Sequence, residues 1–270
     1  MRINNNLPLN TLNNLYTNHK HNTDAAEKLS SGRKINKAAD NAAGLAIAAQ
    51  MTGQIGGLSQ AIENSQDAVS LVQTADGALT ESQSMVTRIG ELSVQAANGI
   101  YTDSQRGMIQ SEIDQLKTGL NGIANTTSFN NQTLLDGSTK SLTFQTGPNE
   151  LNNMTASIGN MNSAALGVNH IDVTNAVGAG RGITAAQRAT GVASAERSNL
   201  GAYQNRLDHT SKNLGVAVEN QTASLSTIQD ADMAAEMMDY TRTNILQQTG
   251  NAMLAQSNSN RYQVMRLLSL

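Results

Sequence analysis

Residues 55–95 read IGGLSQAIENSQDAVSLVQTADGALTESQSMVTRIGELSVQ, and the fold turns on this stretch. Ile55, Leu58, Ile62, Val69, Val72 and Leu79 recur at steps of three, four, seven, three and seven, with Ser65 and Asp76 in the skipped positions. That is a heptad-like seam along a long helix. Val86, Ile89 and Leu92 carry the apolar pattern onward. At about 1.5 Å per residue such a helix is a rod of roughly 60 Å. One rod cannot bury its own stripe, so the spacing predicts helical partners elsewhere in the chain.

The flanking sequence supplies them. Asn98-Gly99 reads as a C-terminal glycine stop. Beyond it, Ile109, Ile113, Leu116, Leu120 and Ile123 keep alternating steps of four and three, so a second rod should fold back antiparallel on the first. A third rod is expected from Ala185, with Leu200, Tyr203, Leu207, Leu214 and Ala217 on its seam, as the natural partner of the first. Ahead of the first rod, Ser30-Ser31-Gly32 breaks the helical pattern. Asp40 or Asn41 then caps a short Ala-rich helix, and Gly53, Gly56 and Gly57 soften the start of the rod.

Between the second and third rods the period changes. Leu142, Phe144 and Thr146 alternate, Gly147-Pro148-Asn149 marks a turn, and Met154, Ala156 and Ile158 alternate again, which is a hairpin signal. Residues 126–137 read as loop, and residues 170–174 as one further strand. The two ends are weakly apolar. Leu7, Leu12 and Leu15 are spread thinly along the first, with Pro8 confined to its first turn. The last segment is rich in methionine, at Met233, Met237, Met238, Met253 and Met265. Two such segments are expected to pair.

The predicted fold is therefore mainly α. Long antiparallel helical rods form a coiled-coil-like bundle with a small β-hairpin insert, and the N- and C-terminal helices pair. Residues 1–42 with 232–270 make a terminal helical domain. Residues 43–231 make a rod domain, with the hairpin region at about 138–184.

Composition narrows the function. Of 270 residues 3% are aromatic, with no Trp and two Phe, so a thick globular core is not expected. Mean hydropathy is −0.35, and the apolar residues are spaced for helix seams. A net charge of −3 gives no reason to propose a nucleic acid partner. No apolar run is long enough for membrane insertion, and no secretory signal core is visible in the first thirty residues. Without cysteine there are no disulfides, thiolate metal sites or cysteine nucleophiles.

Sites with chemistry are scarce. Residues 177–183, VGAGRGI, lack the spacing of a dinucleotide loop and any following Lys-Ser/Thr, so they read as a flexible linker into the third rod. Asp230, Asp232, Glu236 and Asp239 cluster near a helix start, where the dipole favours them without a metal. His19 and His21 are two apart and do not share a helix face. Ser30 and Ser31 have no His-Asp set to activate them. No catalytic residue, cofactor or metal site is assigned, and the chain reads as a non-enzyme.

The longer motifs go further. EKLSSGRKINKAADNAAGLAI at residues 27–47, QTADGALTE at 73–81, IGELSVQAANG at 89–99, IQSEIDQL at 109–116 and FNNQTLLDG at 129–137 occur in order. LGAYQNRLDHT at 200–210, IQDADMAAEM at 228–237 and NILQQTGNAMLAQSN at 244–258 follow. With MRINNN at the start, this pattern resembles bacterial flagellin, the filament subunit of the flagellum. The resemblance implies paired terminal helices in an inner tube, and variable outer domains that would lie between residues 137 and 185 but look absent here. It implies a head-to-tail helical homopolymer used for swimming motility. It further implies export in unfolded form through the flagellar type III channel with an export chaperone, contact with filament cap and hook-junction proteins, and an extracellular location. A homologous hook-filament junction protein is the alternative.

Leu7, Leu12, Leu15, Met253, Leu254, Leu267 and Leu268 are the expected terminal polymerisation contacts. Arg88, Leu92 and Glu112 match positions by which the family resembles the ligand of the flagellin-sensing Toll-like receptor, an innate immune partner. The other reading of the same residues is a rod surface that packs against the next subunit, and both hold together if a surface hidden in the filament is exposed in the monomer. Ser138, Thr139, Ser141 and Ser163 are candidates for O-glycosylation and equally ordinary solvated residues. The terminal segments, to about residue 40 and from about 232, are expected to be mobile in the monomer and helical in the polymer.

Overall fold

The computed structural model describes residues 7–138 and 141–268, except for the side chains at 7, 8, 264, 267 and 268. Helices α1 (Leu7–Ser31), α2 (Ala42–Ala97) and α3 (Asp103–Thr126) come first. Four short strands follow, β1 (Ser128–Phe129), β2 (Gln132–Thr133), β3 (Leu142–Gln145) and β4 (Asn153–Ala156). Helices α4 (Ala176–Gln229) and α5 (Met233–Leu268) complete the chain. The mainly α architecture with small antiparallel strand pairs is as the periodicity predicts. Packing divides the chain into two compact units, Met1–Ile55 with Glu219–Leu270, and Gly56–Val218. Each is described by itself.

In the second unit the core follows a stricter rule than the large apolar residues suggest. On α2 a buried seam runs through Leu58, Ala61, Ser65, Ala68, Val72, Ala75, Leu79, Ser82, Val86, Ile89, Ser93 and Ala96, with Leu71 and Leu92 buried beside it. The seam positions alternate steps of three and four without a slip. Ile55, Ile62 and Val69, expected on the seam, are only half-buried at its flank. Small residues take the places between them. The serines tolerate burial because each hydroxyl donates to a carbonyl one turn back, Ser65 to Ala61 at 2.7 Å, Ser82 to Ala78 at 3.0 Å and Ser93 to Ile89 at 2.7 Å.

α4 answers with the same period. Ala179, Gly182, Ala186, Ala189, Ala193, Leu200, Leu207 and Leu214 are buried, with Tyr203 packed against the core. The pairing is antiparallel: Arg197 Nε lies 2.8 Å from Asp76 Oδ1, and Gln83 Nε2 donates to Ser194 Oγ at 3.3 Å. Farther along, small residue meets small residue. A Cβ on Gly182 would fall 2.8 Å from Ser93 Oγ and 3.1 Å from Ile171 Cγ2. The helices approach this closely because neither carries bulk there.

The third helix turns on a buried arginine. Gly99 does not take the left-handed conformation expected of a glycine stop. Instead Arg106 of α3 reaches back and donates to the carbonyls of Ala96 at 2.9 Å and Asn98 at 3.2 Å, caps that α2 cannot satisfy itself. Thr102 and Gln105 form a reciprocal capping box at the start of α3. Ile109, Ile113 and Leu120 are buried, with Leu116 and Ile123 packed against the core.

Residues 127–138 and 141–175 are far more ordered in their packing than their sequence suggests. The expected hairpin is present, with Leu142 opposite Ala156 and Phe144 opposite Met154. A second one, β1–β2, was not expected. It turns on Asn130 and Asn131, both at positive φ. No strand forms at residues 170–174. This segment is an irregular strap whose Ile158, Met161, Leu166, Val168, Ile171 and Val173 are all buried. Its backbone is satisfied by helix side chains. Ser163 N–H donates to Asn121 Oδ1 at 2.9 Å, Val173 N–H to Gln110 Oε1 at 2.8 Å, and Lys117 Nζ donates to the Ile171 carbonyl at 2.8 Å.

Two expected breaks are absent. The Ala-rich segment and the rod are one helix, α2, running through Gly53, Gly56 and Gly57. Residues 177–183 lie inside α4, so the linker reading is corrected: three glycines in a turn and a half cost helix propensity, but Gly182 is the residue the close contact requires.

Gly182→Ala is therefore expected to destabilise by about 1–3 kcal/mol through overpacking. Gly180→Ala, with open space around the added Cβ, should stabilise by up to about 1 kcal/mol. Denaturant unfolding curves of the two variants report both signs. The Asp136 carboxyl, which accepts from the Ser138 hydroxyl and amide and from Thr133, is held below its ordinary value. Its contribution to the turn after β2, between Thr133 and Ser138, is present above the ordinary carboxylate value and lost as pH falls through the depressed one. The protection of the Ser138 amide against exchange, relative to its intrinsic rate at each pH, should fall only in that acid range.

Candidate assembly surface

α1 and α5 form an antiparallel pair whose seam mixes polar residues with a few apolar ones. Thr11, Leu15, Asn18, Asn22, Ala25 and Leu29 recur at alternating steps of four and three on α1 and are shielded. On α5 the shielded positions are Glu236, Tyr240, Thr243, Gln247, Gly250, Leu254 and Ser257, again at steps of four and three. Asn22 Nδ2 donates to Thr243 Oγ1 at 3.2 Å. Lys28 Nζ lies 3.0 Å from Glu236 Oε1, and Gln247 Nε2 lies 3.1 Å from His19 Nδ1. Gly250 leaves room for Leu15, whose Cγ would stand 3.1 Å from an added Cβ.

The large apolar residues point elsewhere. Leu9, Leu12, Tyr16, Met237, Met238, Ile245, Leu246 and Met253 are all exposed, Ile245 by 62% and Leu9 by 66%. Among the described residues of this unit, only Ala25, Ile35 and Ala48 are buried hydrophobics. Two helices joined through hydrogen bonds and an ion pair, with their hydrophobic groups in water, lack the burial that stabilises a free-standing helix pair.

Several local contacts shape this unit. Gly32 ends α1 in the left-handed conformation, Lys34 N–H donates to the Gln229 carbonyl at 2.7 Å, and Ala231 N–H to the Gly32 carbonyl at 3.0 Å. Asn41, one of the two expected caps, accepts from Gly44 N–H at 2.9 Å. Asp40 instead accepts the amides of Asn36 and Lys37, which hold its carboxyl below the ordinary range. The Lys37 ammonium is held above its ordinary value by an ion pair with Glu27.

The expected contact residues divide. Leu12 and Met253 face outward, whereas Leu15 and Leu254 are half-buried. The side chains of Leu7, Leu267 and Leu268 lie outside the described residues, as does Thr139. Tyr16, Met237, Met238, Ile245 and Leu246 extend the outward set. Their signal in sequence is their position one to three places off a seam rich in Asn, Thr and Gln.

The acidic cluster resolves into separate roles. Asp232 caps α5 through the amides of Ala234 and Ala235, Glu236 pairs with Lys28, and Asp239 with Arg242. Among the described residues no three His, Asp or Glu side chains converge to hold a metal, and no helix is long and apolar enough to cross a membrane.

In the second unit Arg88 and Glu112 meet across α2 and α3 at 2.9 Å, with Glu91 also 3.1 Å from Arg88, and all three are exposed. The Arg88 guanidinium is pushed up by these carboxylates, Glu112 foremost. Leu92 does not join them. It is 2% exposed and belongs to the helical core. Of the three receptor candidates, Leu92 is thus a packing residue, and Arg88 and Glu112 alone are at the surface.

Comparison with known proteins bears on this surface. Residues 3–140 match the bacterial flagellin N-terminal helical region, and residues 183–268 match the bacterial flagellin C-terminal helical region. The chain belongs to the bacterial flagellin family. It is 43% identical to a flagellin of Bacillus subtilis over 99% of this chain and all of that one. It is 42% identical to flagellin FlaB2 of Treponema pallidum over 90% of each. Among solved structures, a Bacillus cereus flagellin shares 30% identity with a TM-score of 0.51, over 56% of this chain and 88% of that one. A flagellar hook-associated protein of Vibrio parahaemolyticus shares the fold alone, at 10% identity and a TM-score of 0.59, over 71% of this chain and all of that one.

Leu92→Ala is expected to cost about 2–5 kcal/mol, as for a buried leucine. Arg88→Ala should leave the unfolding midpoint where it was, since its partners are solvated. Thermal unfolding of the two variants separates a packing residue from a surface one.

Proposed function

We propose that this chain is the structural subunit of a bacterial flagellar filament, polymerising head-to-tail through its paired terminal helices. The observation that carries the reading is the outward apolar stripe on α1 and α5, which the chain itself leaves uncovered. Identical neighbours cover it when a non-closing, head-to-tail contact repeats, and such a contact generates an open helix of subunits. The name of one relative, a flagellar filament 33 kDa core protein of Treponema phagedenis, is in keeping with this role.

Terminal segments with so little self-burial gain their ordering free energy from neighbours. Residues 1 to about 40 and from about 232 onward thus form the inner domain of the polymer, and they complete their folding as they assemble. Export in unfolded form through the flagellar type III channel, with a chaperone, fits a subunit whose ends fold last. Cap and hook-junction proteins are its contacts at the two ends of the filament, outside the cell. The rival reading, a hook-filament junction protein, shares the fold, but the high identity to flagellins over the whole chain favours the filament subunit.

Arg88 and Glu112 offer a polar, solvated contact for the flagellin-sensing Toll-like receptor, set in place by the buried Leu92 beneath. Arg88→Ala is expected to weaken receptor signalling in reporter cells without altering filament growth.

Seeded growth tests the main proposal. Purified monomer added to short filament seeds should give long filaments by electron microscopy with a gain of helix by circular dichroism. A chain lacking residues 1–40 and 232–270 should do neither. Ile245→Gln with Leu246→Gln should raise the critical concentration on the order of tenfold or more, at about 1–3 kcal/mol per buried polar replacement. Discrete small oligomers from the intact chain would overturn the filament reading.

A further inference from the structure

Methionine is concentrated where apolar surface is least covered. Of 11 methionines, Met233, Met237, Met238, Met253 and Met265 lie on α5, and they are between 46% and 63% exposed. Met237 and Met238 flank the seam residue Glu236, and Met253 flanks Leu254, so the thioethers sit beside the shielded face rather than within it. By contrast Met154 and Met161 are buried in the core of the other unit, at 7% and 3% exposure. One chain thus holds both an open and a shielded class of the same side chain.

We propose that the exposed methionines of α5 are oxidation sites that make self-assembly peroxide-sensitive, since their sulfoxides cannot enter the apolar contact that docking forms. The proposal rests on the assembly reading above. The oxidant is a two-electron peroxide. One oxygen atom is transferred from hydrogen peroxide to Sδ, the thioether is oxidised to the sulfoxide, and the peroxide is reduced to water. The product exchanges a flexible apolar group for a polar one with a strong acceptor oxygen. In water that oxygen is solvated. Against a neighbouring subunit's leucines it has no donor. Methionine suits the unmodified contact because its unbranched chain adapts to its neighbours, and the same sulfur is what peroxide attacks. Docking and oxidation therefore exclude each other: an oxidised subunit does not dock, and a docked one is not oxidised.

The test uses the full chain. Monomer and preformed filament are treated with the same graded hydrogen peroxide, quenched, and mapped by peptide mass spectrometry. In the monomer, Met237, Met238 and Met253 should oxidise on the order of tenfold faster than Met154 and Met161. In the filament they should slow toward the rate of that buried pair. Treated monomer should lose seeded growth, and methionine sulfoxide reductases A and B together should restore it. A variant with all five α5 methionines changed to leucine should grow at any dose that stops the parent. If that variant assembles poorly untreated, the reductase rescue decides alone. Normal growth by fully oxidised monomer, loss of growth that the reductases do not reverse, or equal oxidation rates in the two methionine classes would overturn the proposal. Failure of untreated parent chain to extend seeds would overturn the assembly reading instead, and the mass spectra of the monomer would still decide site selectivity.

Discussion

The close approach of two long helices through small residues is the contact on which the second unit depends. Where Gly182 meets Ser93 there is no room for a larger side chain, and Gly90 lies close to Ala186 a turn farther along. Serine can occupy this seam because its hydroxyl is satisfied on its own helix and asks nothing of the partner. Tight approach places each alanine against backbone as well as side chain. The dispersion energy lost with the missing bulk is recovered from contacts along the whole length. Leu200, Leu207 and Leu214 take over on α4 toward its C-terminal half, opposite the stretch of α2 that runs back to Leu58. Everything else in this unit, α3, the two hairpins and the strap, is laid over a spine already fixed in register.

This explains what the sequence could and could not reveal. Helix positions, the antiparallel return at residues 98–102, the β3–β4 hairpin and the pairing of the ends follow from period and punctuation. The seam was only partly visible, because alanine and serine carry no hydrophobic signal of their own and the eye goes to Ile55, Ile62 and Val69 at its margin. The glycines of residues 177–183 are misleading for a related reason: composition alone reads as flexibility, and only Ser93 on α2 explains why a glycine belongs in α4 there. The strap was invisible. Its burial depends on donors and acceptors from Gln110, Lys117 and Asn121, which are remote in sequence and lack any period. Leu92 is grouped with Arg88 and Glu112 through the family resemblance, although it also continues the apolar spacing of Val86 and Ile89. Its position three past Ile89 places it against the core all the same.

The terminal helices show the reverse pattern. There the sequence correctly signals weakness, since apolar residues are few. What it hides is the orientation. Asn22, Thr243 and Gln247 share the interior with Leu15, Leu29 and Leu254, and most of the large hydrophobic residues are left to the outside. Such an arrangement would be a defect in a protein that ends its folding as a monomer. Under the assembly proposed above it is coherent, because the partner that would cover the stripe is another copy of the same chain.

The largely polar seam has a thermodynamic consequence. Opening the α1–α5 pair exposes amides and hydroxyls that water satisfies about as well as their partners do, and only the limited apolar surface of Leu15, Ala25, Leu29, Tyr240 and Leu254. Its heat-capacity change should therefore be small, because that quantity tracks apolar hydration. Covering the outer stripe is the opposite case and carries a large negative heat-capacity change. The two steps thus respond differently to temperature. Pairing of the ends is nearly indifferent to cooling, whereas association through the stripe weakens as the solution becomes cold.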